Sequence, residues 1–252
     1  MQEPSNEIAL LCMAAQLVLE NGGETYRVEE TVLRMAKGFG LEDVSVAAFP
    51  TSIFVEVGGT ARIRRISRRG TDTTRLAQVN DISRRVEHGG MDAAQADQAL
   101  RQIASGAGVS QPTLILACGL AAASFCLLFG GTLATFAVTF VIGMLVQAVQ
   151  PLFSRMEMGV LFGNFTGGLL TAILAQAIAA LVPYGNVNAA IIGGIMPLLS
   201  GLLMTTAVRD TMYGDLVSGI ARAVEALLLA ASVALGVFVG LKLIAMLGGV
   251  ML

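Results

Sequence analysis

Three groups of residues in this 252-residue chain could carry chemistry. The first is Arg209-Asp210-Thr211-Met212-Tyr213-Gly214-Asp215, followed by Ser218, Arg222 and Glu225. It crowds charge against long apolar sequence, which is expensive unless the charges are paired or line a wet cavity. Arg222 and Glu225 stand at i,i+3 and can pair on a helix; a solvated loop is the other reading. The second is Gly23-Glu24-Thr25-Tyr26-Arg27-Val28-Glu29-Glu30. Here Glu24 can bridge to Arg27 at a helix start, where acids also favour the dipole. A capped, charged helix entry accounts for it equally well. The third is the polar content of the apolar segments: Gln147, Gln150, Asn164, Thr166, Gln176, and Pro197 with Ser200. Gly193-Gly194, Pro197 and Gly201 would weaken a helix, and interrupted helices expose backbone dipoles to ions or polar solutes. Neutral polar groups suit a zwitterionic or hydroxylated solute better than a bare ion; interhelical hydrogen bonds are the alternative.

Enzyme chemistry finds little support. The apolar segments hold no HExxH, no GxSxG and no aspartate pair. His88, the single histidine, sits beside Gly89-Gly90 at a predicted helix end, where a solvated role is expected. Cys12, Cys118 and Cys126 are odd in number and lack ligand spacing, so neither disulfide nor metal is expected. No cofactor and no catalytic residue is assigned.

These groups must be held by two kinds of sequence. The chain is 55% hydrophobic and 13% charged, with mean hydropathy +0.73, against roughly 25% charge in an ordinary soluble domain. Residues 1–110 hold 14 of the 18 acids and 12 of the 16 Lys and Arg. From Gln111 to Val208 only Arg155 and Glu157 are charged. The break near Gly106-Ala107-Gly108 therefore divides an N-terminal domain, residues 1–108, from a membrane domain, residues 109–252.

In the N-terminal domain, helical spacing over Ile8–Leu19 is stopped by Gly22-Gly23. Thr25 can cap a second helix carrying Val28, Val32 and Met35, ending at Gly38 or Gly40. Val44–Phe49, Ser52–Val57 and Ala61–Ile66 read as strands, with Gly58-Gly59 as a hairpin turn. A helix over Asp72–Glu87 follows, then one to about Ser105 opened by an Asp92/Gln95 capping box.

A membrane helix needs about 20 apolar residues, and five spans are predicted near 112–129, 132–153, 158–182, 187–208 and 226–247. Gly159, Gly163 and Gly167, and Gly236 and Gly240, form small-residue faces suited to helix packing. Arg101, Arg155, Arg209 and Arg222 lie in alternate loops, whereas Gly130-Gly131 and Pro183–Asn186 are uncharged. The positive-inside rule then places the N-terminus in the cytoplasm and the C-terminus outside, with Lys242 snorkelling. The first twenty residues carry Glu3, Glu7 and Glu20 without a basic flank or cleavage site, so no signal peptide is expected. The fold class is an α-helical polytopic membrane protein (five transmembrane helices) with an N-terminal cytoplasmic α+β domain.

Gly-Glu-Thr-Tyr-Arg-Val-Glu-Glu-Thr at 23–31, Phe-Pro-Thr-Ser at 49–52, and the pattern Met-Pro-Leu, Gly, Arg-Asp, Gly-Asp, Ser-Gly, Arg, Glu-Ala over 196–226 resemble the threonine/serine exporter family. The resemblance runs from about Glu7 to Lys242. Length and span number resemble the larger, five-span subunit of the family's two-component form, in which a smaller membrane protein of the same superfamily supplies the remaining spans. The resemblance implies secondary export of threonine- or serine-like amino acids across the inner membrane of a prokaryote, or of a dicarboxylate such as succinate. It implies a smaller membrane subunit or a homo-oligomer as partner, a small polar solute and the bilayer, and no nucleic acid. Carried over by motif match, the transport residues are Asn164, Pro197, Arg209, Asp210, Asp215 and Arg222. Glu24, Tyr26, Arg27 and Glu29 form the motif of the cytoplasmic domain. Arg209 or Arg222 would meet a substrate carboxylate, and Asp210 or Asp215 would carry a coupling proton. The chain departs from the family pattern at Ser200-Gly201, where a Pro-Gly usually stands, and near Thr206, where an Asn does. A membrane-anchored enzyme or a sensor using the N-terminal domain is the reading from another class.

Overall fold

A computed structural model describes residues 4–67, 70–155, 159–179 and 186–246. Glu157, the start and end of the predicted third span, the Pro183–Gly185 turn, Arg68, Arg69 and the C-terminal residues 247–252 lie outside the described residues. The chain forms two compact units. One comprises Met1–Ala107 with Leu202–Ala223, the other Gly108–Gly201 with Val224–Leu252.

In the first unit, α1 (Pro4–Glu20) and α2 (Thr25–Gly38) precede β1 (Val44–Phe49), β2 (Ser52–Val57) and β3 (Thr60–Arg65). The strands form an antiparallel meander in the order β1-β2-β3, with Ala47 opposite Phe54 and Phe54 opposite Ile63. Then come α3 (Thr73–Glu87) and α4 (Ala93–Ser105). One face of each helix and of β1 and β2 feeds a single core: Ile8, Leu11 and Leu19 of α1, Val28, Val32 and Met35 of α2, Ala48 of β1, Ile53 and Val55 of β2, Val79 of α3 and Leu100 of α4. Each such side chain contributes about 1.5–3 kcal/mol on burial. Asp92 and Gln95 make the expected capping box at the start of α4.

The α1–α2 turn decides where the motif at 23–31 lies. Gly22 sits at φ +88°, a conformation that ends α1 and that a side chain resists. At Gly23 a Cβ would fall 2.4 Å from Val18 Cγ1, so only glycine lets α2 start so close to α1. Glu24, not Thr25, is the N-cap of α2, and its side chain makes no cap hydrogen bond.

The apolar sequence forms α5 (Gln111–Leu128), α6 (Leu133–Arg155), α7 (Gly159–Ala179) and α8 (Val187–Ile195). A short 3-10 turn (Met196–Leu198), α9 (Gly201–Met212) and α10 (Leu216–Met246) follow. Among the described residues four helices, α5, α6, α7 and α10, are long and apolar enough to cross a membrane. The broken pair Val187–Leu198 and Gly201–Met212 would make a fifth span. The break falls at Leu199-Ser200, just past Pro197, with Leu199 in an extended conformation. The helix break therefore forms with Ser200, not a proline, before Gly201.

Within the second unit, Ile142, Val146, Ala175, Ala190 and Ile191 form the core. Leucines and valines such as Leu116, Leu120, Leu133 and Val160 cover its outside, a surface suited to lipid rather than water. The glycine faces behave as expected with one exception. A Cβ on Gly236 would meet Phe165 O at 2.0 Å, and one on Gly167 would meet Leu198 Cδ1 at 2.8 Å. Gly159, however, is free of contact and opens α7 at φ +72°, so it serves as a turn residue.

Candidate functional site

The last helix begins ten residues earlier than the apolar run suggested. α9 extends to Met212, a tight turn passes through Gly214 at φ +94°, and α10 starts at Leu216. Asp215 N–H donates to Asp210 O at 2.9 Å across this turn. The stretch 209–225 is consequently not a solvated loop but a helical hairpin that buries two of its charges. Asp210 is 0% exposed and Arg222 5% exposed. Gly219 makes the hairpin close, since a Cβ there would lie 2.1 Å from Thr211 Oγ1.

This hairpin and the start of α2 belong to the same unit, and their motif residues interlock. Arg209 Nη1 donates to Glu24 Oε1 at 2.8 Å, while Arg27 Nε donates to Glu24 Oε2 at 2.8 Å. Glu24 thus carries two guanidinium groups on its two oxygens. Asp210 Oδ1 accepts from the backbone N–H of Thr25 at 3.0 Å, and Asp215 Oδ2 accepts from Thr25 Oγ1 at 2.9 Å. The unpaired N–H groups that open α2 therefore receive an anionic cap from 185 residues away, where a helix N-terminus favours negative charge. Arg222 Nε lies 3.0 Å from Asp210 Oδ2, an ion contact rather than an aligned hydrogen bond, and Arg222 Nη2 donates to Gly23 O at 2.9 Å. Tyr26 and Tyr213 stack at 4.0 Å with an interplanar angle of 13°.

Electrostatics follow from this geometry. Burial alone would push the Glu24 carboxyl up, but the hydrogen bond from Arg209 and the nearby charge of Arg27 hold it below the ordinary glutamate value. Glu29 shifts the other way. Burial raises it, the backbone N–H of Ala48 partly offsets this by donating at 3.1 Å, and Asp215 adds to the rise. Glu29 thereby ties α2 to β1. Accessibility separates the arginines: the Arg209 side chain is 57% exposed and that of Arg27 38%, whereas that of Arg222 is 6% exposed.

Asn164 and Pro197 lie in the second unit. Asn164 is buried and its Nδ2 donates to Leu198 O at 3.5 Å, beside the break that follows Pro197. Gln150 Nε2 donates to Gly163 O at 3.2 Å. Gln147, Gln150, Pro151 and Gly163 line a cavity of about 520 Å³ in this unit. Pro151, inside α6, has no N–H to give the helix carbonyl of Gln147.

The sequence reading named Glu24, Tyr26, Arg27 and Glu29 separately from Arg209, Asp210, Asp215 and Arg222; the structure joins them in one cluster. It missed Thr25 and Tyr213 as members. Thr25 stands inside the 23–31 motif, and Tyr213 lies between Arg209-Asp210 and Asp215, so both signals were present. Among the described residues no group of His, Cys, Asp and Glu is arranged to hold a metal.

The sequence profile of a family described as "Putative threonine/serine exporter" matches residues 9–244. The chain belongs to the threonine/serine exporter family. It is also similar to the "Probable threonine/serine exporter" of Mycobacterium tuberculosis (strain ATCC 25618 / H37Rv), 26% identical over 236 residues. That alignment covers 90% of this chain and 44% of the relative, so the chain spans less than half the length of that protein. No solved structure matches. The family is described as one of exporters, and the long apolar helices of this chain suit a membrane.

Proposed function

We propose that this chain exports threonine- and serine-like amino acids across the cytoplasmic membrane of a prokaryote. It acts as the larger subunit of a pair with a smaller membrane protein of the same superfamily, or as a homo-oligomer. Residues 1–108 lie in the cytoplasm and the C-terminus outside. The observation that carries the reading is that two of the family's motifs, 23–31 and 196–226, meet through Glu24–Arg209 and Thr25–Asp210. Residues so far apart in the chain then work as one device.

In this device Arg209 is the most accessible of the three guanidinium groups. A substrate carboxylate can replace Glu24 at Arg209, and Glu24 keeps Arg27 as a partner. Asp210 is held by Thr25 and Arg222, so it positions the hairpin. Asp215, half-buried and hydrogen-bonded by the Thr25 hydroxyl, is assigned the coupling role. Arg222 is sealed and engaged, which favours a solute with one carboxylate over a dicarboxylate. Asn164, with Pro197, holds the broken helix, and the neutral polar groups of the second unit suit a hydroxylated zwitterion.

The test is flux of labelled threonine, serine and succinate through proteoliposomes holding the chain alone, or with its small partner, with Arg209→Ala as control. Saturable threonine and serine flux that Arg209→Ala lowers at least 10-fold supports the assignment. Wild-type flux from folded Arg209→Ala removes Arg209 from the site. Succinate flux without threonine flux replaces the amino-acid reading.

A further inference from the structure

The outward face of the β1-β2-β3 sheet is apolar and exposed. Alternation sends Ala48, Ile53, Val55 and Val57 into the core and leaves Ala47, Phe49, Phe54 and Ile63 outside. Ile63 is 65% exposed, and Phe49 and Phe54 meet edge to face at 6.0 Å.

The antiparallel register sorts this face into three rows across the strands. They are Ser45–Glu56–Ala61, Ala47–Phe54–Ile63 and Phe49–Ser52–Arg65. One end is acidic, the middle apolar and the other end basic. Neither Glu56 nor Arg65 has an ion-pair partner among the described residues.

We propose that this face docks onto the same face of a second copy of the chain. A two-fold axis lying across the strands along the Ala47–Phe54–Ile63 row superposes the acidic row of one copy on the basic row of the other. Glu56 then meets Arg65 twice, and Phe54 and Ile63 pack between the two pairs. An isologous interface demands this kind of self-complementarity. A lipid surface fits less well, because Arg65 is the only base on this face. Arg62 and Arg64 stand opposite Val55 and Ile53, the inward-facing residues, and the face carries Glu56 as well.

Strands about 4.8 Å apart and residues about 3.4 Å apart give roughly 300 Å² per copy. That is well below the roughly 800 Å² per partner of a stable interface. The contact therefore depends on both copies being held in one bilayer, which raises their effective concentration. The inference rests on the membrane reading but not on the substrate.

Cross-linking of the full-length chain in membranes tests it. Phe54→Cys, on the axis, is expected to give a dimer-sized band with a short bis-maleimide. Arg64→Cys, on the opposite face of the sheet, is expected to give no more than the native cysteines. In the Phe54→Cys background, Glu56→Arg or Arg65→Glu alone should lower the yield at least 5-fold, and both together should restore it. Absence of the Phe54→Cys band in a folded chain overturns the proposal. So does a yield that ignores both charge reversals. A Phe54→Trp emission that shifts with anionic lipid content, without cross-linking, overturns it in favour of the lipid surface. None of these readouts measures transport, so their failure leaves the export reading standing.

Discussion

Removing the Asp210 carboxylate should destabilise the first unit severely. Asp210 is fully buried, lies 3.0 Å from an almost fully buried Arg222 and caps α2 through the Thr25 N–H. Breaking a buried ion pair by deleting one member costs about 3–5 kcal/mol, because the other charge is left stranded. Losing the cap adds about 1 kcal/mol. With roughly 3–5 °C per kcal/mol for a unit of this size, Asp210→Ala should lower the melting temperature of the purified chain by at least about 10 °C. Asp210→Asn keeps an acceptor for Thr25 and should recover only the cap. Arg222→Met should cost nearly as much as Asp210→Ala. The double variant should cost about 2 kcal/mol less than the sum of the singles, since neither charge is then left alone. The assay is thermal unfolding in detergent at neutral pH. If Asp210→Ala melts within about 2 °C of the parent, or the two singles simply add, the reasoning about this pair is refuted.

Other consequences follow from particular contacts. Glu24 has a lowered carboxyl pKa, so its contribution is full above the ordinary glutamate value of about 4.5 and is lost as pH falls through the lower folded value. Melting temperature should drop more steeply below about pH 4.5 in the parent than in Glu24→Gln. Gly236→Ala should destabilise the second unit by about 2 kcal/mol or more, because the added methyl falls 2.0 Å from Phe165 O; Gly201→Ala, with nothing within 4 Å, should not. Tyr213→Ala should cost about 0.5–1.5 kcal/mol through the lost stack on Tyr26, whereas Tyr213→Phe should be nearly neutral.

Most local elements were legible in the sequence. Strand limits at 44–49 and 52–57 follow from alternation punctuated by Pro50 and Gly58-Gly59, and the Asp92/Gln95 box opens α4 as read. What sequence could not show was pairing over long separation. Asp210 and Thr25 are 185 residues apart, so no periodicity links them, and the cap of α2 was assigned to Thr25 within its own segment. The start of α10 was missed because Asp215, Arg222 and Glu225 made residues 216–225 read as a polar loop. In the fold, Ser218 and Arg222 turn inward and only the turn at residues 213–215, with Gly214 at positive φ, separates the two helices. The charged motif was therefore visible as two separate groups and became one cluster only in three dimensions.

The most direct test of the export claim uses the native host, where any partner is present. Cells lacking this chain are loaded with threonine from a threonine-containing dipeptide, and intracellular and external threonine are followed. The account predicts that deletion raises intracellular threonine and slows its appearance outside. Wild-type chain should restore efflux, and Arg209→Ala, present at equal level in the membrane, should not. Unchanged threonine and serine efflux in the deletion strain would contradict it.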